Sequence, residues 1–186
     1  MRGWGSCGWS SILRSPTLAT TTMLDFDEKL IQTCVDLAKS AVQHGEAPFG
    51  SLIAKDGEML VTSEQRVIRD NDVTSHAEIV VMREVQKLLK TNDLSGYSLY
   101  TICEPCPMCA FMARELKFDR VVISLPSPSF GGLHRWNILE DQELAKFTPY
   151  FKNPPEVVIN VGLEKAAELY NSLPLFQRML PEELRK

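Results

Sequence analysis

Long hydrophobic runs are missing from this chain: none approaches the roughly 18 consecutive apolar residues that a membrane-spanning helix needs, so no membrane role is expected. Positive charge is not in excess either. With 20 lysines and arginines against 24 aspartates and glutamates the formal net charge is -4, which offers no bulk attraction for a polyanion such as nucleic acid. The five cysteines are a modest and odd number, and no secretory signal is read ahead of them. A disulfide framework is therefore a poor account of them, and a reducing, cytoplasmic setting is the expectation. Internal repeats and low-complexity tracts are absent, which sets repeat architectures aside. What is present is ordinary globular material: 186 residues at 44% hydrophobic content suffice for one core and leave little for a second full domain.

The first 24 residues, "MRGWGSCGWSSILRSPTLATTTML", carry two arginines, many serines and threonines and no acid, whereas Asp25, Asp27 and Glu28 follow at once. That shift sets a boundary near Met23. Residues 1–23 are expected to be a disordered leader and residues 24–186 a single domain with C-terminal helices. Arg- and Ser-rich, acid-poor composition also suits an organelle transit segment, so targeting by residues 1–22 is the alternative to a cytoplasmic location.

Beyond the boundary, strands and helices alternate. Leu30, Ile31, Cys34, Leu37, Ala38, Ala41 and Val42 recur at intervals of three and four, which predicts an amphipathic helix over 25–43. "FGSLIAKDGEMLVTSEQRVI" reads as strands at 49–54 and 59–68 joined by the turn pair Asp56-Gly57. "TSHAEIVVMREVQKLLK" is predicted helical, capped by Thr74 or Ser75, with Ile79, Met82, Val85 and Leu89 on one face. "YSLYTIC" and "DRVVISL" read as strands flanking the short helix "PCPMCAFMAREL", whose prolines suit a first turn. A last strand, "EVVINV", precedes the helical "LEKAAELYNSL". The order implies a three-layer α/β domain whose later strands run parallel through crossover helices.

Two of these predicted helices open with metal-ligand residue types: His76 and Glu78 in one, Cys106 and Cys109 in the other. Cysteines three apart on a helix face the same way, and a helix N-terminus favours the thiolate that binds zinc. His76 supplies a third ligand and leaves the fourth tetrahedral position to water, as in catalytic zinc sites. Cys103 offers a competing arrangement, a closed Cys3His structural site with His76, Cys106 and Cys109. That arrangement leaves Glu78 idle and uses a cysteine at the end of a strand, so the catalytic set with Cys103 as a small buried hydrophobe is preferred.

"HAE" at 76–78 and "PCPMC" at 105–109 fit the H-x-E and P-C-x-x-C pattern of the zinc-dependent cytidine and purine deaminases. With "APFGSLIAKDG" (47–57) and "LYTICEPCPMC" (99–109), the chain resembles that superfamily from about Asp25 to Ser124, and within it the guanine deaminases and tRNA adenosine deaminases. The resemblance implies a five-stranded mixed sheet between helices, a three-layer α/β/α sandwich. It also implies a Zn2+ cofactor on His76, Cys106 and Cys109, with Glu78 as the proton-shuttling catalytic acid and base. Hydrolytic deamination of a nucleobase or nucleoside is the leading expectation. Deamination of adenosine in tRNA is the alternative that charge does not favour, and a non-catalytic zinc-stabilised interaction module is a further one. A homodimer is expected from resemblance alone. Candidate substrate contacts are Phe49, Gln65, Ala77 and Pro105. Purine-acting relatives usually carry Asn where Gln65 stands, so Gln65 is either a substrate contact or a solvent-facing strand residue. Residues 125–141 do not match the pocket-closing segment of the family; His134 and Trp136 there are candidates to cap a base.

Overall fold

The computed structural model describes the backbone from residue 18 and side chains from residue 23 to the end. The expected leader, residues 1–23, lies almost wholly outside these described residues. Helix α1 runs Leu18–Gln43 and starts ahead of the expected residue 25. It buries Leu30, Ile31, Cys34, Val35, Ala38 and Ala41 on the face that the periodicity marks.

Strands β1 (Gly50–Lys55) and β2 (Glu58–Glu64) form the expected antiparallel hairpin. Asp56 and Gly57 both take positive φ at its turn, 49° and 87°, as a tight two-residue hairpin demands. The second strand is shorter than the predicted 59–68, because residues 67–70 turn into a short helix, α2 (Val67–Asp70). Its opening amides, Ile68 N and Arg69 N, donate to the buried carboxylate of Glu46 at 3.0 and 2.7 Å, a partner distant in sequence that local β-propensity cannot anticipate. Then come α3 (Ala77–Leu89), β3 (Ser98–Cys103), α4 (Pro107–Glu115) and β4 (Arg120–Leu125). A long connection leads to β5 (Glu156–Val158), followed by α5 (Leu163–Asn171) and the short α6 (Pro174–Gln177).

The strands make one five-stranded sheet in the order β2-β1-β3-β4-β5. β1 pairs antiparallel with β2 and β3, whereas β3-β4 and β4-β5 are parallel, the mixed sheet anticipated. Alternation along the central strands divides the core in two. Leu52, Tyr100, Ile102 and Val122 meet α1 and α5 on one face. Ile53, Leu99, Val121 and Ile123 meet α3 and α4 on the other. The outcome is the three-layer α/β/α sandwich, and the N-termini of α3 and α4 come together at the same edge of the sheet.

Candidate active site

His76 is the N-capping residue of α3 and Cys106 that of α4; neither side chain makes a capping hydrogen bond, so both are free for other partners. The α3 cap thus falls at His76 rather than at the expected Thr74 or Ser75, which are engaged with the carboxylates of Asp70 and Asp72 in the preceding loop. Pro107 occupies the first turn of α4, where its missing N–H costs nothing.

His76 Nδ1, Cys106 Sγ and Cys109 Sγ form a nearly equilateral triangle. Each sulfur lies 3.6 Å from the nitrogen and the two sulfurs are 3.5 Å apart. Tetrahedral bonds of about 2.3 Å to sulfur and about 2.0–2.1 Å to nitrogen imply edges of roughly 3.5–3.8 Å, so the donor set fits a zinc ion. Among the described residues this is the group of such ligands close enough to hold a metal. Glu78 is buried beside it, Oε2 lying 3.7 Å from Cys109 Sγ and Oε1 3.2 Å from the Thr101 hydroxyl.

The electrostatics agree with a cation site. Hydrogen bonding from the Cys109 thiol, aided by His76, holds the Cys106 thiol down to about 4 despite its burial. The same bond, with burial, pushes Cys109 well above the usual thiol range. One proton is thus shared between two sulfurs, and a divalent ion would replace it. Burial raises the Glu78 carboxyl, and the neighbouring Cys106 charge adds to that. A carboxyl raised in this way holds a proton more readily than an exposed one, which suits a group that must take and return protons.

The triangle opens on a cavity of about 240 Å³, lined by Phe49, His76, Glu78, Cys103, Glu104, Cys106, Ser127, Phe130 and Met179. Phe49 is fixed edge-to-face against Tyr170 and Phe176, with ring centroids 6.4 and 6.2 Å away. Tyr170 Oη in turn donates to Pro48 O at 3.1 Å. The other three candidate contacts are not among the lining residues. Gln65 is buried and lies beyond the end of β2, so the solvent-facing strand reading is corrected; its Oε1 accepts the Ala77 N–H at 3.3 Å and steadies the start of α3. Ala77 is fully buried there, and buried Pro105 offers its carbonyl to Gly132 N at 2.7 Å. His134 is not among the lining residues either, and its Nδ1 lies 2.6 Å from Glu104 Oε2. Trp136 sits half exposed under Arg135.

Sequence reasoning missed Glu104, Ser127, Phe130 and Met179. An acid directly ahead of a metal-ligand helix was a usable signal for Glu104. The other three come from segments with no periodicity to place them.

Fold and site together define a zinc-dependent hydrolase of the three-layer α/β/α class. Residues 24–125 match the model of the cytidine and deoxycytidylate deaminase zinc-binding region, and the chain belongs to that family. It is 32% identical over 118 residues to the tRNA-specific adenosine deaminase of Aquifex aeolicus, covering 63% of this chain and 78% of that one. It is 41% identical over 83 residues to the guanine deaminase of Bacillus subtilis, covering 44% of this chain and spanning only 53% of that relative. A solved structure from work on A-to-I editing by tRNA:A34 deaminases superposes with a TM-score of 0.64 at 28% identity, over 76% of this chain and 98% of the other. The guanine deaminase of Nitrosomonas europaea shares the fold, with a TM-score of 0.65 at 21% identity over 76% of this chain and 81% of that one.

Proposed function

We propose that the chain hydrolytically deaminates a free nucleobase or nucleoside, with guanine the first candidate, releasing ammonia. The observation that carries this reading is the Glu78 carboxylate beside the His76, Cys106 and Cys109 triangle, in a cavity of about 240 Å³ closed on one side by Met179 of the C-terminal segment. That volume is below the roughly 300–1,000 Å³ typical of drug-sized ligands and suits one flat heterocycle.

His76, Cys106 and Cys109 would hold the zinc, which supplies Lewis acidity and lowers the pKa of a water towards neutrality. Glu78 takes the proton from the attacking water and delivers it to the ring nitrogen next to the amino-bearing carbon. It then takes the second proton from the added hydroxyl and passes it to the amine, so that the C–N bond breaks, ammonia leaves and a carbonyl remains in the ring. The Thr101 hydroxyl, within 3.2 Å, holds the carboxyl in place. Phe49 and Phe130 offer apolar surface for the ring faces, and together with Met179 they keep bulk water from the reacting carbon. From family likeness we carry over a homodimer as the working assembly; Met108 and Phe111, exposed on α4, are apolar surface of the kind a second copy covers.

Deamination of adenosine within tRNA is a second reading, favoured by the match to the Aquifex aeolicus tRNA-specific adenosine deaminase over 78% of its length. An ammonia-release screen over guanine, guanosine, cytosine, cytidine, adenine and adenosine, run beside inosine formation in a tRNA anticodon stem-loop, separates the two. Turnover of a free base or nucleoside is expected. Glu78→Gln should keep zinc and fold while losing about 100- to 10,000-fold in kcat, the range of general acid–base catalysis. Near-normal turnover by Glu78→Gln would refute the proton shuttle, and stem-loop editing without small-molecule turnover would move the chain to the second reading.

A further inference from the structure

Part of the cavity wall comes from the chain after β4, where Ser127 and Phe130 reach the lining. This stretch has no helix or strand to hold it, yet it is tied down tightly. The buried Glu104 carboxylate accepts Ser127 N at 2.8 Å, Leu133 N at 2.9 Å and His134 N at 2.9 Å, with His134 Nδ1 2.6 Å away. All four partners lie between residues 127 and 134. The wrap is so close that a Cβ on Gly131 would stand 1.7 Å from Glu104 Oε1. A loop gathered on one carboxylate is a fixed wall rather than a mobile cover.

The lining contains few polar groups, and most are committed. His76 and Cys106 belong to the donor triangle, Glu78 to proton transfer, and both Glu104 oxygens to the loop. Phe49, Cys103, Phe130 and Met179 offer no strong hydrogen-bonding group. Ser127 remains: only 4% exposed, its backbone N–H spent on Glu104, and its hydroxyl without a hydrogen-bond partner among the described residues. The oxygen is not sealed from solvent, so it is free to exchange a water for the polar edge of a ligand in the cavity that Ser127 lines.

We propose that Ser127 is the specificity-determining residue of this cavity, its hydroxyl hydrogen-bonding the polar edge of a heterocyclic base, and that Glu104 is the positioning residue that sets it there. The assignment rests on the base-deaminase reading and names the part of the chain that chooses the base. A hydroxyl both donates and accepts, so it meets either an amino or a carbonyl edge, and selectivity follows from where the loop holds it.

The test separates binding from turnover. Zinc-loaded protein carrying Glu78→Gln is titrated calorimetrically with guanine, adenine and cytosine, alone and with Ser127→Ala, Ser127→Thr, Glu104→Gln or Gly131→Ala added. Ser127→Ala should weaken the preferred base about tenfold, one neutral hydrogen bond, and level the preference among the three, while Ser127→Thr retains most of it. Glu104→Gln turns an acceptor into a donor facing Ser127 N–H and should reproduce the loss with zinc still at one per chain. Adding it to Ser127→Ala should cost little more, since the two act through one contact. If Glu104→Gln fails to fold, Gly131→Ala moves the loop without touching β3 or α4 and should show the same loss. Binding within twofold of the parent in Ser127→Ala overturns the proposal, as does zinc loss in Glu104→Gln or independent multiplication of the two effects. Failure to bind any base overturns it together with the base-deaminase reading. Selective binding through Ser127 with no ammonia released when Glu78 is intact refutes the reaction and leaves the wall standing.

Discussion

Two thiols and an imidazole nitrogen 3.5 to 3.6 Å apart distinguish a metal triangle from a neighbourhood of polar residues, and the fate of the nearby Cys103 shows why. Cys103 is buried at the end of β3, and burial, reinforced by Glu78, pushes its thiol up to about 12. It therefore carries no thiolate near neutral pH, whereas Cys106 does. Replacing Cys106 or Cys109 by serine should lower zinc from about one per chain to near none, measured by elemental analysis after dialysis, and Cys103→Ser should leave it unchanged. Zinc loss in Cys103→Ser would restore the closed four-ligand arrangement. The spacing of these residues was legible in the sequence because ligands at helix openings obey local rules. Gln65, Ala77 and Pro105, expected as candidate substrate contacts, do not line the cavity; Gln65 Oε1, the Ala77 N–H and the Pro105 carbonyl have scaffold partners, which only the folded chain shows.

The connection from residue 126 to residue 155 is the least legible part of the chain and far exceeds the roughly 12–15 residues usual for a loop without structure of its own. Strand and helix order elsewhere followed from periodicity, since each element's apolar stripe reports the face it buries. Here much of the order comes from two side chains outside the connection, Glu104 for residues 127–134 and Arg114 for residues 138–152. Arg114, on α4 and 2% exposed, donates from Nη1 to Ile138 O, Leu139 O and Asp141 O at 2.8, 3.1 and 2.9 Å, and from Nη2 to Lys152 O at 3.2 Å. No pattern in the sequence signals so distributed a brace. Arg114→Met keeps the apolar stem but leaves four carbonyls without their donor. A loss of about 3 kcal/mol in unfolding free energy is expected, given that hydrogen bonds to charged groups contribute about 1.5–3 kcal/mol each and the vacated carbonyls regain water in part. Urea denaturation of zinc-loaded protein measures it; a loss under about 1 kcal/mol would mean the connection is held by its apolar contacts.

Charge bears on the choice between a small substrate and a polymer for the molecule as a whole. The net charge of -4 is an average, so the local pairing of cations matters as well. On the stretch leading into α3 Arg66 pairs with Asp70 and Glu84 and Arg69 with Glu64, and on α3 itself Arg83 pairs with Asp72. Matched pairs on a surface leave little field to hold a phosphate backbone. A protein that grips about 6–10 phosphates loses roughly 1,000- to 100,000-fold in affinity between 50 and 200 mM salt, whereas a neutral base displaces no counterions. The expected outcome is therefore a kcat/KM for the preferred base that changes less than about twofold between 50 and 200 mM potassium chloride, because an uncharged ligand releases no condensed ions on binding. Steady-state assays of zinc-loaded protein at four or five salt concentrations measure the slope directly. A flat profile fits a cavity that receives single heterocycles from solution. A steep decline, with turnover recovered at low salt on an anticodon stem-loop, would place unmatched cations around the cavity mouth and give the chain a polyanionic substrate.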